Sequence, residues 1–209
     1  MIRVIPFASC YVYSPSGTCP TSERSRLLRA TLKACDEEFL HRYAARVRQQ
    51  ADSHPAFAEL FGPRSVLIPV PGSAPRSRAT RWVAEGLARA LAREGLGATV
   101  WTGLQRVRPV RKSATADCGK RPTVATHYRS FAIDAGFAPP EECVLIDDVV
   151  TKGRTMLAAA ARMHDAFPTA RIRAFALLRT MGMVAEVERL IEPCQGEIRW
   201  RSGDAHRTP

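Results

Sequence analysis

Two adjacent carboxylates, Asp147 and Asp148, stand in the segment CVLIDDVVTKGRT, which covers residues 143–155. Four apolar residues precede them, and two more apolar residues and a Thr-Lys-Gly-Arg-Thr loop follow. This pattern predicts a buried strand that ends in an acidic pair. Burying carboxylates is costly unless a ligand is bound beside them, so the segment is a candidate binding site.

The loop behind the carboxylates has the residue types of an anion site. Gly153 and the hydroxyls of Thr151 and Thr155 come next to the start of a predicted helix, whose N-terminus offers N–H groups and a positive dipole end. A phosphate monoester fits such a loop, and the vicinal diol of a sugar fits the carboxylates. The segment therefore predicts a site for a ribose 5-phosphate. The structural alternative for the Asp pair is a helix N-cap with a surface charge beside it.

The rest of the chain supplies alternating strands and helices that could position this segment. Apolar runs predict strands at 2–13, 65–70, 98–104, 143–146 and 171–178, with a last strand at 197–200. Apolar spacings of three and four predict one long helix over 22–50, a helical turn at 56–62, and helices over 77–94, 153–166 and 183–192. Residues 105–130 have no apolar period and are rich in Arg, Lys, Ser and Thr, which predicts a long loop that is functional or disordered.

Near-continuous apolar strands that alternate with helices predict an α/β fold, with a central parallel sheet covered by helices on both faces. Ligands of such sheets bind beyond the carboxyl ends of the strands. The loops 71–75, 105–130 and 147–155 all follow strands, so we expect them to meet at one edge. The N-terminal region, 1–62, is expected to pack on a core of residues 63–209 within one structural domain.

The composition limits the function classes. The net charge is +11, which favours polyanionic ligands such as nucleic acid or phosphorylated small molecules. Arginine supplies almost all of the positive charge, because the only lysines are Lys33, Lys112, Lys120 and Lys152. The six cysteines show no C-x-x-C spacing, which indicates reduced thiols rather than a zinc site. There is no apolar run long enough to span a membrane and no signal-peptide pattern, so a cytoplasmic location is expected.

The 143–155 segment closely resembles the phosphoribosyl pyrophosphate (PRPP) motif of the type I phosphoribosyltransferases. That motif has four apolar residues, two acidic residues, two apolar residues and a Thr/Ser/Gly loop, and only Lys152 departs from the usual small residue. VLIPVP, the Arg-rich stretch with Gln105, Arg106 and Arg108, and SERSRLLRATLK are similar to the ComF-like branch of this family. The chain departs from that branch because it lacks the four-cysteine zinc ribbon, which marks it as a divergent member.

The resemblance implies a Rossmann-like type I phosphoribosyltransferase fold with a flexible loop, the hood (105–123), over the site. It implies that Asp147 and Asp148 hold the ribose hydroxyls as the catalytic pair. The residues implied to bind the 5-phosphate are Val149, Val150, Thr151, Lys152, Gly153, Arg154 and Thr155. Those implied to bind pyrophosphate are Gly72, Ser73 and Ala74 together with Arg108, Arg111, Lys112 and Lys120 of the hood.

The implied reaction is transfer of ribose 5-phosphate from PRPP to a nitrogenous acceptor with release of pyrophosphate, a pentosyltransferase step of nucleotide metabolism. Mg²⁺ would be held mainly by PRPP, with Asp147 or Asp148 reaching it through water. Cationic hood side chains would stabilise the anionic leaving group, and hood closure would exclude water. Similar proteins are commonly homodimers, and no membrane association is implied.

Two other functions remain open at this point. The chain could be a regulatory protein that binds PRPP or a nucleotide without catalysis. It could also bind single-stranded DNA, because of its charge and because the ComF-like branch is associated with DNA uptake. His127 and Tyr128 are candidates for contact with the acceptor, with a structural or surface role as the alternative. Residues 1–60 and 105–130 would determine which acceptor is used.

Overall fold

The structure is a computed structural model that describes residues 2–77, 82–111, 121–134, 136, 140–182 and 184–209. Six helices are present in these ranges: α1 (Pro20–Ala34), α2 (Glu37–Ser53), α3 (Pro55–Leu60), α4 (Val83–Arg93), α5 (Val124–Ser130) and α6 (Arg154–Ala166). The strands are β1 (Val4–Tyr13), β2 (Val66–Pro69), β3 (Thr99–Val100), β4 (Leu104–Arg106), β5 (Phe131–Ile133), β6 (Glu142–Val150), β7 (Arg171–Thr180), β8 (Ile191–Arg201) and β9 (Asp204–Thr208).

Seven strands form one sheet in the order β3-β2-β6-β7-β1-β8-β9. The five strands from β3 to β1 are parallel, whereas β8 and β9 are added antiparallel at one edge. The predicted α/β class with a parallel central sheet is therefore confirmed for most of the sheet. β1 does not lie at an edge: it pairs with β7 on one side and with β8 on the other.

Helices cover both faces of the sheet, because alternate residues of the apolar strands point to opposite sides. Leu67 and Val144 face a core with α1, α2, α3 and α4. Their neighbours Ile68 and Leu145 face a second core with α5 and α6. The sheet is thus buried on both faces, which explains why its central strands are continuously apolar in sequence.

The prediction of one helix over 22–50 is wrong, since the structure has two helices here. Cys35 ends α1 in the left-handed region, with φ of 55°, and Asp36 then caps α2 by accepting a hydrogen bond from the N–H of Phe39 at 2.8 Å. Apolar residues continue on the same face across the break, so the periodicity alone did not reveal it. The helical turn at 56–62 corresponds to α3.

The prediction of a structureless 105–130 loop is also wrong at both ends. β4 and β5 pair as a small antiparallel sheet, and α5 immediately precedes β5. The Thr123 hydroxyl accepts a hydrogen bond from the N–H of Thr126 at 3.2 Å and so begins α5. The predicted strand at 98–104 is divided between β3 and β4.

The C-terminal region differs most from the sequence prediction. The described residues of the predicted helix at 183–192 contain no helix, and β8 begins at Ile191. The predicted strand at 197–200 lies inside β8, which turns at Ser202 and Gly203 into the unpredicted β9. Both turn residues have positive φ, 51° and 82°, as a tight hairpin requires.

The helix predicted over 77–94 starts later than expected: α4 begins at Val83, Ser77 and Trp82 are not helical, and 78–81 lie outside the described residues. The remaining predicted elements are confirmed to within a few residues. None of the helices described here is long and apolar enough to cross a membrane. β6 extends four residues beyond the predicted strand end, to Val150. The two carboxylates therefore belong to the strand itself.

Candidate functional site

Asp147 and Asp148 lie in the last part of β6, next to β7. Asp147 is opposite Ala176 of β7 and is half-buried, while Asp148 is only 8% exposed. The N–H of Asp148 donates to Oδ1 of Asp147 at 2.9 Å. Burial, and then the neighbouring charge of Asp148, raise the pKa of Asp147 well above its usual value. The pair thus favours a bound proton, a cation or a hydrogen-bond donor.

The donor present in the structure is Lys33, from the last turn of α1. Its Nζ forms an ion pair with Oδ2 of Asp148, and its charge opposes the rise in the pKa of Asp147. Lys33 was not assigned to the site from sequence. One sequence feature could have indicated it: lysine is scarce in this arginine-rich chain, and the three other lysines were all assigned to the site on the basis of the resemblance.

The segment Pro71–Ala74 follows β2, the strand beside β6. Arg106 donates through Nε to the carbonyl of Gly72 and through Nη2 to that of Pro71, the latter at 3.2 Å. The carbonyl of Ser73 accepts from the N–H of Val110 at 2.8 Å. In a trans peptide the N–H points opposite to the C=O. The N–H groups of Gly72, Ser73 and Ala74 therefore point away from Arg106 and Val110.

No acceptor for these three N–H groups is found among the residues that the structure describes. A Cβ added at Gly72 would have no heavy atom of the described residues within 4 Å. Successive backbone N–H groups that lack an acceptor can receive an anion. The pyrophosphate-binding role of Gly72, Ser73 and Ala74 is compatible with this geometry and stays a prediction.

The second candidate anion site is the turn between β6 and α6. Gly153 has φ of 82° and begins α6, whose first intrahelical bond runs from the N–H of Leu157 to the carbonyl of Gly153 at 2.9 Å. The first turn of a helix presents N–H groups without intrahelical partners. A Cβ at Gly153 would lie 2.6 Å from Cγ2 of Ile198, so Ile198 of β8 packs directly against this turn.

The two cationic side chains of the turn, Lys152 and Arg154, contact the C-terminal hairpin formed by β8 and β9. Arg154 binds Asp204 of β9 through Nε and Nη2, at 2.5 and 2.6 Å, and Lys152 lies 3.4 Å from the same carboxylate. The hydrogen bonds from Arg154 lower the pKa of Asp204 to about 2. Lys152 and Arg154 therefore share one counter-ion before any ligand binds.

The remaining predicted 5-phosphate residues are arranged around this turn. Val150 is buried and Val149 is half-buried in β6, so only their backbone could face a ligand. Thr151 is exposed, and its carbonyl accepts from Nε of Arg207 at 2.8 Å. Thr155 is half-exposed in the first turn of α6.

Contacts of the hood reach both candidate anion sites. At the start of the hood, Arg106 binds carbonyls of the 71–74 segment. At the end of the hood, the carbonyl of Pro122 lies 3.4 Å from Nη1 of Arg154. Arg108 and Arg111 are exposed. Lys112 and Lys120 lie outside the described residues. The structure thus brings together the three segments that the sequence analysis expected to meet.

Two buried residues of this region had no role in phosphate or pyrophosphate binding assigned from sequence. Arg106 was named only within the stretch that carries the resemblance, and His127 only as a candidate for contact with the acceptor. Arg106 is 4% exposed and His127 is 3% exposed, although both are polar. Arg106 lies over the ring of Phe131, 4.3 Å from its centroid, and its hydrogen-bond partners among the described residues are uncharged. Burial lowers the pKa of Arg106 to about 10 against the opposing charge of Asp147, so it stays charged at neutral pH. Its positive charge therefore acts on Asp147 and on the site around it.

The described residues contain no cluster of three or more His, Cys, Asp or Glu able to hold a metal ion. The Asp pair could still contribute carboxylate oxygens to a Mg²⁺ whose other ligands came from a phosphorylated substrate. Comparison with protein-family models finds no match for this chain, and a search of curated proteins also finds none.

Proposed function

We propose that the chain is a phosphoribosyltransferase, which moves ribose 5-phosphate from PRPP to a nitrogenous acceptor and releases pyrophosphate. The observation that carries the proposal is the position of the Asp pair between two backbone anion sites. The 71–74 segment follows β2, the Gly153 turn follows β6, and these two strands are neighbours in the sheet. PRPP has the matching order of groups: a pyrophosphate, a diol and a phosphate monoester.

The chemistry assigned to these residues follows from charge. A nitrogen lone pair of the acceptor forms the bond to C1 of the ribose, and the C1–O bond breaks with its electron pair leaving on pyrophosphate. The N–H groups of 71–74 and the charge of Arg106 would stabilise that leaving group, with further charge from Arg108, Arg111, Lys112 and Lys120 of the hood.

Asp147 and Asp148 would accept hydrogen bonds from the ribose hydroxyls and favour positive charge that develops on the sugar ring. Mg²⁺, carried by PRPP, would add positive charge on the pyrophosphate side. Lys33 forms an ion pair with Oδ2 of Asp148. A ribose hydroxyl that used this oxygen would therefore compete with Lys33 for it.

Calorimetric titration with PRPP and Mg²⁺ tests the proposal. We expect wild-type protein to bind, and the Asp147→Asn/Asp148→Asn variant to lose most of the affinity, because each lost charged hydrogen bond weakens binding by about tenfold or more. The matched control is Asp52→Asn/Asp134→Asn, which removes two charges from exposed carboxylates. Equal binding by the two double variants would contradict the assignment of the Asp pair.

An acceptor screen by pyrophosphate release then separates catalysis from binding alone. Binding of PRPP without pyrophosphate release from any nitrogenous base would favour a regulatory PRPP-binding protein. Binding of single-stranded DNA that falls steeply with salt, and that is unchanged in the Asp147→Asn/Asp148→Asn variant, would favour a nucleic-acid function.

A further inference from the structure

Arg106, His127 and Thr155 form a series of polar contacts that links the two candidate anion sites. Nη2 of Arg106 lies 3.5 Å from Nδ1 of His127, and Nε2 of His127 lies 3.4 Å from Oγ1 of Thr155. These contacts connect β4, α5 and the first turn of α6. The same guanidinium also holds the carbonyls of the 71–74 segment.

The direction of the hydrogen bonds in this series follows from the chemistry of Arg106. A guanidinium donates hydrogen bonds and cannot accept them. Nδ1 of His127 must therefore accept, and a neutral imidazole that accepts at Nδ1 carries its proton on Nε2. Burial, and then the charges of Arg106 and Arg154, lower the pKa of His127 to about 4, so the ring is neutral at physiological pH.

The fixed tautomer determines what Thr155 can offer to a ligand. Nε2–H of His127 donates to Oγ1 of Thr155, which occupies a lone pair of the hydroxyl and leaves its hydrogen available. Among the described residues, the contact with His127 is the one hydrogen bond of the Thr155 hydroxyl. Without His127 as donor, the hydroxyl could rotate and present a lone pair, which would repel an anion.

We propose that Arg106 and His127 are positioning residues, which orient the Thr155 hydroxyl as a hydrogen-bond donor to a phosphate monoester at the first turn of α6. This inference rests on the proposed function, because it assumes that the 5-phosphate binds at this turn. It further means that one buried cation orients groups at both anion sites: the backbone of 71–74 directly, and the Thr155 hydroxyl through His127.

Substitutions at His127 separate its two hydrogen bonds. In His127→Gln the amide group falls near the position of Nε2 and can still donate to Thr155. In His127→Asn the shorter side chain reaches only the position of Nδ1, so it can accept from Arg106 but cannot reach Thr155. We expect the Asn variant to bind ribose 5-phosphate about tenfold more weakly than wild type, and the Gln variant to stay within about threefold. His206→Asn, at an exposed histidine of β9, is the matched control.

A double-mutant cycle with Thr155→Val distinguishes positioning from a general structural effect. If His127 acts through the hydroxyl, adding His127→Asn to Thr155→Val should cause little further loss of affinity. The same tenfold loss in both backgrounds would overturn the proposal. So would wild-type affinity in the His127→Asn variant.

Nitrogen-15 NMR of the His127 ring in the wild-type protein gives a test that needs no variant to fold. We expect a protonated Nε2, an unprotonated Nδ1 and no titration above pH 5. A protonated Nδ1 in a protein that binds ribose 5-phosphate would overturn this inference and leave the proposed function standing. A wild-type protein that binds neither ribose 5-phosphate nor PRPP would overturn both.

Discussion

Replacing Asp204 by Asn tests how strongly the C-terminal hairpin of β8 and β9 stabilises the turn at Gly153. The carboxylate of Asp204 is the shared counter-ion of Arg154 and Lys152, and the side chains of Asp204 and Arg154 are both 22% exposed. The amide of Asn is close in shape to the carboxylate but carries no charge. The substitution therefore removes the electrostatic part of the contact and leaves most of the packing.

The pKa of Asp204 gives the expected magnitude. It is lowered from its usual value of 3.8 to about 2. Since one pKa unit corresponds to about 1.4 kcal/mol, and solvent partly screens this contact, the ionised carboxylate stabilises the folded protein by about 2 kcal/mol at neutral pH. A lowered carboxyl pKa means that this stability is fully present above pH 4 and is lost as the pH falls through 2. At pH 3 about half of it should remain.

Urea unfolding of wild type and Asp204→Asn at pH 7 and at pH 3 measures both values. We expect a difference of about 2 kcal/mol at pH 7 and about 1 kcal/mol at pH 3. The control is Asp52→Asn, which breaks an exposed pair with Arg48 one helical turn away. Such pairs contribute only about 0.3–0.5 kcal/mol. Equal losses for the two variants at pH 7 would refute the reasoning.

Two further predictions concern the surroundings of the Asp pair and of the Gly153 turn. Lys33→Met removes the cation whose charge opposes the rise in the pKa of Asp147, so the pKa of Asp147 should rise further. Urea unfolding should then show a larger loss of stability at pH 8 than at pH 5.5, and equal losses would contradict this. Gly153→Ala and Gly203→Ala both place a side chain at φ of 82°, but only the new Cβ at residue 153 would clash with Ile198. We therefore expect thermal unfolding to show a loss of stability of about 1–3 kcal/mol for Gly203→Ala and a clearly larger loss for Gly153→Ala.

The central sheet could be predicted from the sequence because strands that are buried on both faces contain runs of apolar residues. β2 is continuously apolar and β7 contains the apolar run AFALL, so composition and length identify both strands. The Asp pair and the glycine turn were also found, since their chemistry is concentrated in thirteen consecutive residues.

The parts that sequence reasoning missed depend on contacts between distant residues. Lys33 reaches Asp148 only because α1 ends where Cys35 adopts a left-handed conformation, and the apolar spacing gave no sign of that break. Arg106 looked like one more solvated arginine of a basic loop. Its burial depends on the pairing of β4 with β5, which is too short to leave a clear apolar pattern.

The position of β1 between β7 and β8 has a consequence for the order of folding. During synthesis, the Asp pair and the glycine turn would leave the ribosome before the hairpin that supports them, because Ile198 and Asp204 lie about fifty residues later in the chain. Until β8 pairs with β1, that strand has an open edge and the turn has neither its packing partner nor its counter-ion. The turn at Gly153 should therefore reach its final structure late, after β8 and β9 have joined the sheet.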